Sequence, residues 1–179
     1  MLKYILLALA VALPTFGQSQ AADLRSAAGC GPSQAQFDVK TDKRQHAVTQ
    51  PDSGRALVYV IVEERRDPHA QQFGDITTRV GLDGDWAGAN HGQSYISFAV
   101  EPGAHRLCTD GQSRLKAVQE LSGAADLIAE AGKTYYYRAE LTIPWADHAA
   151  NLRLEEVDGA EGLLLVSKSA SSTWKIKNR

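Results

Sequence analysis

Several things are missing from this sequence, and each absence removes a class of function. There is no basic excess. Lys plus Arg is 19 against 21 Asp plus Glu, a net charge of −2, so non-specific binding to a phosphate backbone loses its main driving term. No apolar stretch is long enough to span a bilayer. The longest, Tyr4 to Leu13, falls short of the roughly 20 residues a transmembrane helix needs. There are only two cysteines, Cys30 and Cys108, and their separation excludes CxxC redox and zinc motifs. HExxH, the Walker A loop, GxGxxG and the EF-hand loop do not occur. Ser94 in Gly92-Gln93-Ser94-Tyr95-Ile96 and Ser113 in Gly111-Gln112-Ser113-Arg114-Leu115 leave the GxSxG nucleophile elbow incomplete. Collagen-like, coiled-coil and largely disordered chains are excluded by a composition of 44% hydrophobic and 22% charged residues with 15 Gly and 6 Pro.

What is present begins with an export signal. Lys3 precedes the apolar run, Pro14 ends it, and Ser19-Gln20-Ala21 places small residues at −3 and −1 of a cleavage site. Residues 1–21 read as a signal peptide, leaving 158 residues and a net charge of −3, enough for one core. A lipid anchor at Cys30 competes, through Ala27-Ala28-Gly29-Cys30, but Asp23 and Arg25 separate that cysteine from the apolar run. In an oxidising compartment an even cysteine count reads as one disulfide, Cys30–Cys108.

Residues 22–53 read as an extended polar arm with at most a short strand near Gln36 to Val39. The domain proper, 54–168, opens with Ala56 to Val62, a β-branched run expected to be a central strand buried on both faces. Asp75 to Leu82, Asp83-Gly84 and Asp85 to Gly88 read as a type I′ hairpin with Leu82 opposite Asp85, Gly81 opposite Trp86 and Val80 opposite Ala87. Ser94 to Glu101, Pro102-Gly103 and Ala104 to Thr109 read as a second hairpin about a type II turn. Its apolar face carries Ile96, Phe98, Val100 and Leu107, and its reverse face Tyr95, Ser97, Ala99, Arg106 and Cys108. Leu115, Val118 and Leu121, within Gln112 to Ala124, suit a short helix. Leu127 to Ala129, the Ala131-Gly132 turn and Thr134 to Ile143 read as a third hairpin, closed by Pro144-Trp145. Tyr135, Tyr137, Ala139, Leu141 and Ile143 lie on its core face, and Tyr136 and Arg138 on the other. Leu152 to Val157 is a last strand. Asp158 caps a helix, with Glu161 as the return half of a capping box and Leu163, Leu164 and Val166 as its apolar side. Residues 169–179 read as a polar tail. About eight short strands with Gly-rich turns predict a mainly β, antiparallel sandwich with one short C-terminal helix.

The ordered set of segments resembles a known family. It comprises Gly31 with Phe37-Asp38-Val39-Lys40-Thr41, Ala56 to Val60, Val80 to Asn90 with Ser94-Tyr95, Val100 to His105, Cys108, and Ala129 to Tyr137. Together they resemble the DUF2846 family of bacterial exported proteins of unknown function. The central DG and PG turns also resemble those of a PEGA-type surface domain, so the expected sandwich is Ig/PEGA-like. The resemblance implies a β-sandwich in the bacterial envelope and transfers no catalytic residue. Many members of that family look like lipoproteins; here no cysteine adjoins the apolar run.

The candidate functional residues are few. Arg79, Trp86, Tyr95 and Arg106 come together if the first two hairpins are neighbours. An aromatic and guanidinium surface can hold a sugar ring or a peptide. The competing reading is that the N-terminal arm covers this face, with Trp86 lying over Gly81. Asp83, Asp85, Asn90 and His91 offer metal ligands, but the same residues are ordinary turn chemistry. His46, His69, His91, His105 and His148 are scattered, and His105 reads as a hydrogen-bonded histidine at the core's edge. No metal, cofactor or catalytic residue is expected. The expectation is a periplasmic or secreted non-catalytic module that binds a protein, glycan or cell-wall partner and no nucleic acid. The alternative is a secreted hydrolase whose site is assembled from residues such as His105, Asp83 and Ser94. Mass spectrometry of the exported protein should find an N-terminus near Ala22. A product that keeps Met1 to Ala21 would overturn the signal.

Overall fold

The computed structural model describes residues 30–44, 47–70, 76–144 and 149–177. The signal peptide, the start of the arm, Asp75, Trp145, His46 and His148 lie outside the described residues. In chain order the elements are β1 (Phe37–Asp42), β2 (Ala56–Arg66), β3 (Thr77–Leu82), β4 (Asp85–His91), β5 (Ser94–Val100) and β6 (Gly103–Gln112). After these come α1 (Lys116–Gln119), β7 (Ser122–Ala129), β8 (Thr134–Ile143), β9 (Asn151–Val157), α2 (Gly159–Lys168) and β10 (Ala170–Ile176). Two sheets form a β-sandwich: a six-stranded sheet in the order β1-β10-β5-β2-β8-β9 and a four-stranded one in the order β4-β3-β6-β7. The larger sheet is mixed. β2 runs parallel to β8, and β5 parallel to β10.

β2 is the central strand expected from its composition. Ala56, Val58, Val60 and Val62 point into the space between the sheets, against Ile76, Val80, Leu107, Tyr137, Ala139 and Leu141. Leu57, Tyr59 and Ile61 point outward and are covered in turn, with Tyr95, Tyr136 and Val166 as neighbours. Period-two alternation makes both faces of one strand apolar only when both are buried. The outer cover is α2. Asp158 caps it by accepting a hydrogen bond from the Glu161 N–H at 2.9 Å. Glu161 does not return the bond; its carboxylate accepts instead from Arg138 at 2.7 Å. The buried stripe of α2 is Gly162 and Val166, four residues apart on one side of the helix. Leu163 and Leu164 turn away from the sheet and are about half exposed, at 46% and 52%, which corrects the apolar side assigned to them.

The Asp83-Gly84 hairpin forms with both turn residues at positive φ, 54° and 91°. Leu82 faces Asp85 and Gly81 faces Trp86, but a register shift then puts Val80 opposite Gly88, not Ala87. The second and third hairpins do not form. β5 pairs with β2 and β10, whereas β6 pairs with β3 and β7. The Pro102-Gly103 turn therefore carries the chain from one sheet to the other. The turn at Ala131-Gly132 does the same between β7 and β8. The predicted apolar face survives this change, because Ile96, Phe98, Val100 and Leu107 meet across the sandwich rather than along one sheet.

Three further expectations are corrected. The helix within Gln112 to Ala124 shrinks to the single turn α1, and Ser122 onward is strand β7. The arm contributes a full edge strand, β1, rather than a stub at Gln36 to Val39. The polar tail is not outside the domain: β10 pairs with β1 over six residues, Phe37↔Ile176 to Asp42↔Ser171, and touches β5 at Ala170 and Ser171. Its side chains are half-exposed or exposed, so its hydrophobicity carried no strand signal.

The seating of α2 gives a test. A Cβ at Gly162 would overlap the Tyr136 ring, whereas one at Gly159 meets nothing. Gly162→Ala is expected to destabilise by about 1–3 kcal/mol through overpacking, against its gain in helix propensity. Gly159→Ala should be neutral or slightly stabilising. Urea unfolding of the two variants checks this, and equal effects would contradict the packing.

Candidate functional site

The outer face of the four-stranded sheet carries Arg79, Gly81, Trp86, Arg106, Cys108 and Asp110. Arg79 sits mid-strand on β3 and is only 9% exposed. A buried guanidinium needs partners for its donors, and it has them. Nε and Nη2 donate to the Asp110 carboxylate at 2.5 and 2.8 Å, and Nη1 donates to the Ala35 carbonyl at 2.7 Å. Its Cζ lies over the Trp86 ring, 4.6 Å from the centroid, a cation–π contact. Burial holds the Asp110 carboxyl above its ordinary range, and Arg79 beside it offsets only part of that rise.

The arm lies across this face. Cys30 and Cys108 are joined, with Cα atoms 5.5 Å apart. Gly81, the cross-strand partner of Cys108, leaves room for the Cys30 carbonyl, which any Cβ at that position would strike. Gly31 sits on the Trp86 indole, and Trp86 Nε1 donates to the Pro32 carbonyl at 3.1 Å. The next turn is held by Gln112, which accepts from the Phe37 N–H at 2.7 Å and donates to the Phe37 carbonyl at 3.0 Å. Phe37 in turn packs edge-on to Trp86 and Trp174. Beside these contacts is a recess of about 450 Å³ between the arm and β6, with Arg79 and Asp110 in its wall and Gln34, Gln36 and Gln119 around it.

The four predicted surface residues do not form one site. Arg79 and Trp86 are together beneath the arm. Arg106 is on the same sheet but half-exposed, paired with Asp126 at 2.5 Å. Tyr95 is on the opposite outside of the sandwich, beside Tyr59, with ring centroids 5.8 Å apart; Tyr59 stacks on Tyr136 at 5.3 Å. The reason is the sheet exchange at Pro102-Gly103. Tyr95 and Arg106 share a face only if β5 and β6 are neighbours in one sheet. Tyr95 lines a second cavity, of about 480 Å³, with Ser97 and Trp174, and no sequence motif signalled it.

His105, Asp83, Ser94 and Asn90 have local work, whereas Asp85 is exposed and His91 contributes its backbone N–H to Ser94 Oγ at 3.2 Å. His105 Nδ1 lies 2.7 Å from Asp83 Oδ2, and its Nε2 lies 2.7 Å from the Glu101 carbonyl. The other Asp83 oxygen accepts from the Arg106 N–H at 2.8 Å. This clamp ties the Asp-Gly turn to β6. Ser94 is fully buried in the other sheet, where its hydroxyl meets that of Ser172 at 2.8 Å. Asn90 is buried and donates to the Val60 carbonyl. Among the described residues no group of three or more His, Cys, Asp or Glu could hold a metal ion.

No protein-family model and no curated protein matches the chain. It is similar to a solved structure, the NMR structure of a protein from Eubacterium rectale, at 14% identity, over 59% of this chain and 91% of that one, with a TM-score of 0.35. A likeness at that level carries no functional argument.

The bridge closes a loop 78 positions long. Chain-entropy reasoning gives about 4 kcal/mol for such a loop. Reduction, or Cys30→Ser with Cys108→Ser, should lower the melting temperature strongly and make Trp86 more accessible to acrylamide. Two free thiols in the purified oxidised protein would contradict the bridge.

Proposed function

We propose that the chain is a non-catalytic β-sandwich module of the bacterial cell envelope, periplasmic or secreted, that binds a protein, glycan or cell-wall partner. One observation carries this: the groups named for a hydrolase, His105, Asp83 and Ser94, are each engaged in holding the fold. A general base needs a free ring nitrogen within reach of its nucleophile. Both His105 nitrogens have partners, Asp83 and the Glu101 carbonyl, and the Ser94 hydroxyl is enclosed beside Ser172 in the other sheet. The export layout of residues 1–21, a disulfide suited to an oxidising compartment and the resemblance to DUF2846 support the envelope setting.

The hydrolase reading has one observation in its favour, the short His105–Asp83 contact, which matches a base held by its orienting carboxylate. In this structure the far nitrogen of that histidine meets a backbone carbonyl rather than a nucleophile. Assays of the purified protein against chromogenic esters, casein and peptidoglycan are therefore expected to show no turnover above buffer. Turnover that is lost in His105→Ala, with the fold intact by circular dichroism, would replace the module with an enzyme.

A further inference from the structure

The second cavity lies where β5 and β10 of the larger sheet part, and it extends over the outer side as far as Tyr59 and the arm residues Ala47 and Thr49. Backbone groups alternate sides along a strand. Leu57 donates its N–H to Lys133, on the β8 side, so the even residues of β2 bond to β5. The bonded pairs are then Ala56–Val100, Val58–Phe98 and Val60–Ile96, and Ser97 and Ala99 turn their N–H and C=O the other way, toward β10. On β10 the Ala170 N–H donates to the Gln93 carbonyl at 3.3 Å, and the Lys177 N–H to the Gln36 carbonyl at 2.8 Å. Even β10 residues therefore face β5, and odd ones face β1. The β5–β10 ladder consists only of Ala170↔Ser94 and Ser171↔Tyr95. Beyond it the strands part. Ser97 and Ala99 on one side, and the Ser172 carbonyl and Trp174 on the other, aim ladder groups across a gap that no described strand fills. The Arg55 guanidinium occupies the Ala99 carbonyl at 3.0 Å and closes one end.

The walls of this gap come from both faces of the sheet. Tyr59, Tyr95, Ser97 and Thr173 contribute from outside, where Ala47 and Thr49 of the arm also border it, and Ile96, Ser172 and Trp174 contribute from inside. The cavity thus passes through the plane of the sheet, as a missing strand would. Among the described residues none that lines it is charged, and the Arg55 guanidinium at its end is already taken by the Ala99 carbonyl and Glu101. A Lys or Asp entering it would shed hydration without a partner.

We infer that the opening between β5 and β10 takes an extended, uncharged peptide segment by strand addition, about four residues long. The inference rests on the binding-module reading and names the partner's chemistry. Main-chain bonds to Ser97, Ala99 and Trp174 supply affinity, and alternate side chains meet Ile96 and Trp174 on the inner side or the hydroxyls of Ser97 and Thr173 on the outer side. A sugar fits less well. It needs the open face of an aromatic ring, and the Trp174 indole is already packed against Gly88 and Phe37.

The probe is a set of end-blocked pentapeptides, Thr-X-Thr-X-Thr with X as Val, Ile or Phe, titrated into the ¹⁵N-labelled exported protein. At least one should shift the Ser97, Ala99 and Trp174 amides, and its N-methylated version should not. Ser97→Pro removes one donor at a position where the ladder with β2 needs none, and should weaken binding about tenfold; Ser97→Ala should leave it unchanged. If Ser97→Pro does not fold, the N-methylated peptide decides alone. No peptide-induced shift, shifts confined to other residues, or equal binding of the N-methylated peptide would overturn the inference and leave the module reading standing. So would maltotriose shifting these amides where the peptides do not. Cleavage of the peptides would instead overturn the module reading.

Discussion

Everything in this fold follows from burying β2 on both faces and both edges. Seven consecutive buried residues, Ala56 to Val62, have no polar side to give to solvent. The strand needs an apolar sheet beneath it, a cover above it and a strand at each edge to receive its backbone groups. β5 takes one edge and β8 the other, the latter in parallel over ten residues. A parallel neighbour cannot arrive by a tight turn. Between β2 and β8 the chain builds the second sheet from β3, β4, β6 and β7, returning once to place β5, and so supplies the apolar surface beneath. The cover above comes from α2 and the Tyr59–Tyr136 stack.

The two ends of the described chain then do different work. The arm is fastened at Cys30–Cys108, at the Arg79–Asp110–Ala35 contacts and at Gln112, so its position is fixed by covalent, ionic and backbone-like bonds together. A buried ion pair adds little net stability, but removing one partner of it would leave a charge uncompensated. Arg79 therefore serves to select one path for the arm over Trp86. The tail has no such fastening toward β5. It pairs fully with β1 and only at its first two residues with β5, which leaves the sheet open where the two strands part.

Much of the sandwich was legible in local pattern. The β2 run, the Asp83-Gly84 turn, the Asp158 cap and the core faces of β6 and β8 are each written in adjacent residues. What was not legible depends on pairing across long separations. Pro102-Gly103 looks the same whether its strands pair or part, so the sequence placed Tyr95 beside Arg106 when they lie on opposite outsides. β10 is polar because it is an exposed strand, and its partner β1 lies 129 to 139 residues earlier, beyond the reach of any periodicity. The Arg79–Trp86 contact was accessible from the hairpin register, since Gly81 opposite Trp86 fixes that face. The Tyr95 cavity was not, because it is made of backbone groups and of a divergence between two strands.

β5 is a bonded strand on its β2 edge and an open one on the other beyond Tyr95. Hydrogen exchange of the free protein, read residue by residue, tests this most directly. The amides of Ile96, Phe98 and Val100, which face β2, should be protected, and those of Ser97 and Ala99, which face the gap, should exchange orders of magnitude faster. Uniform protection from Ile96 to Val100 would show instead that both edges of β5 are already paired.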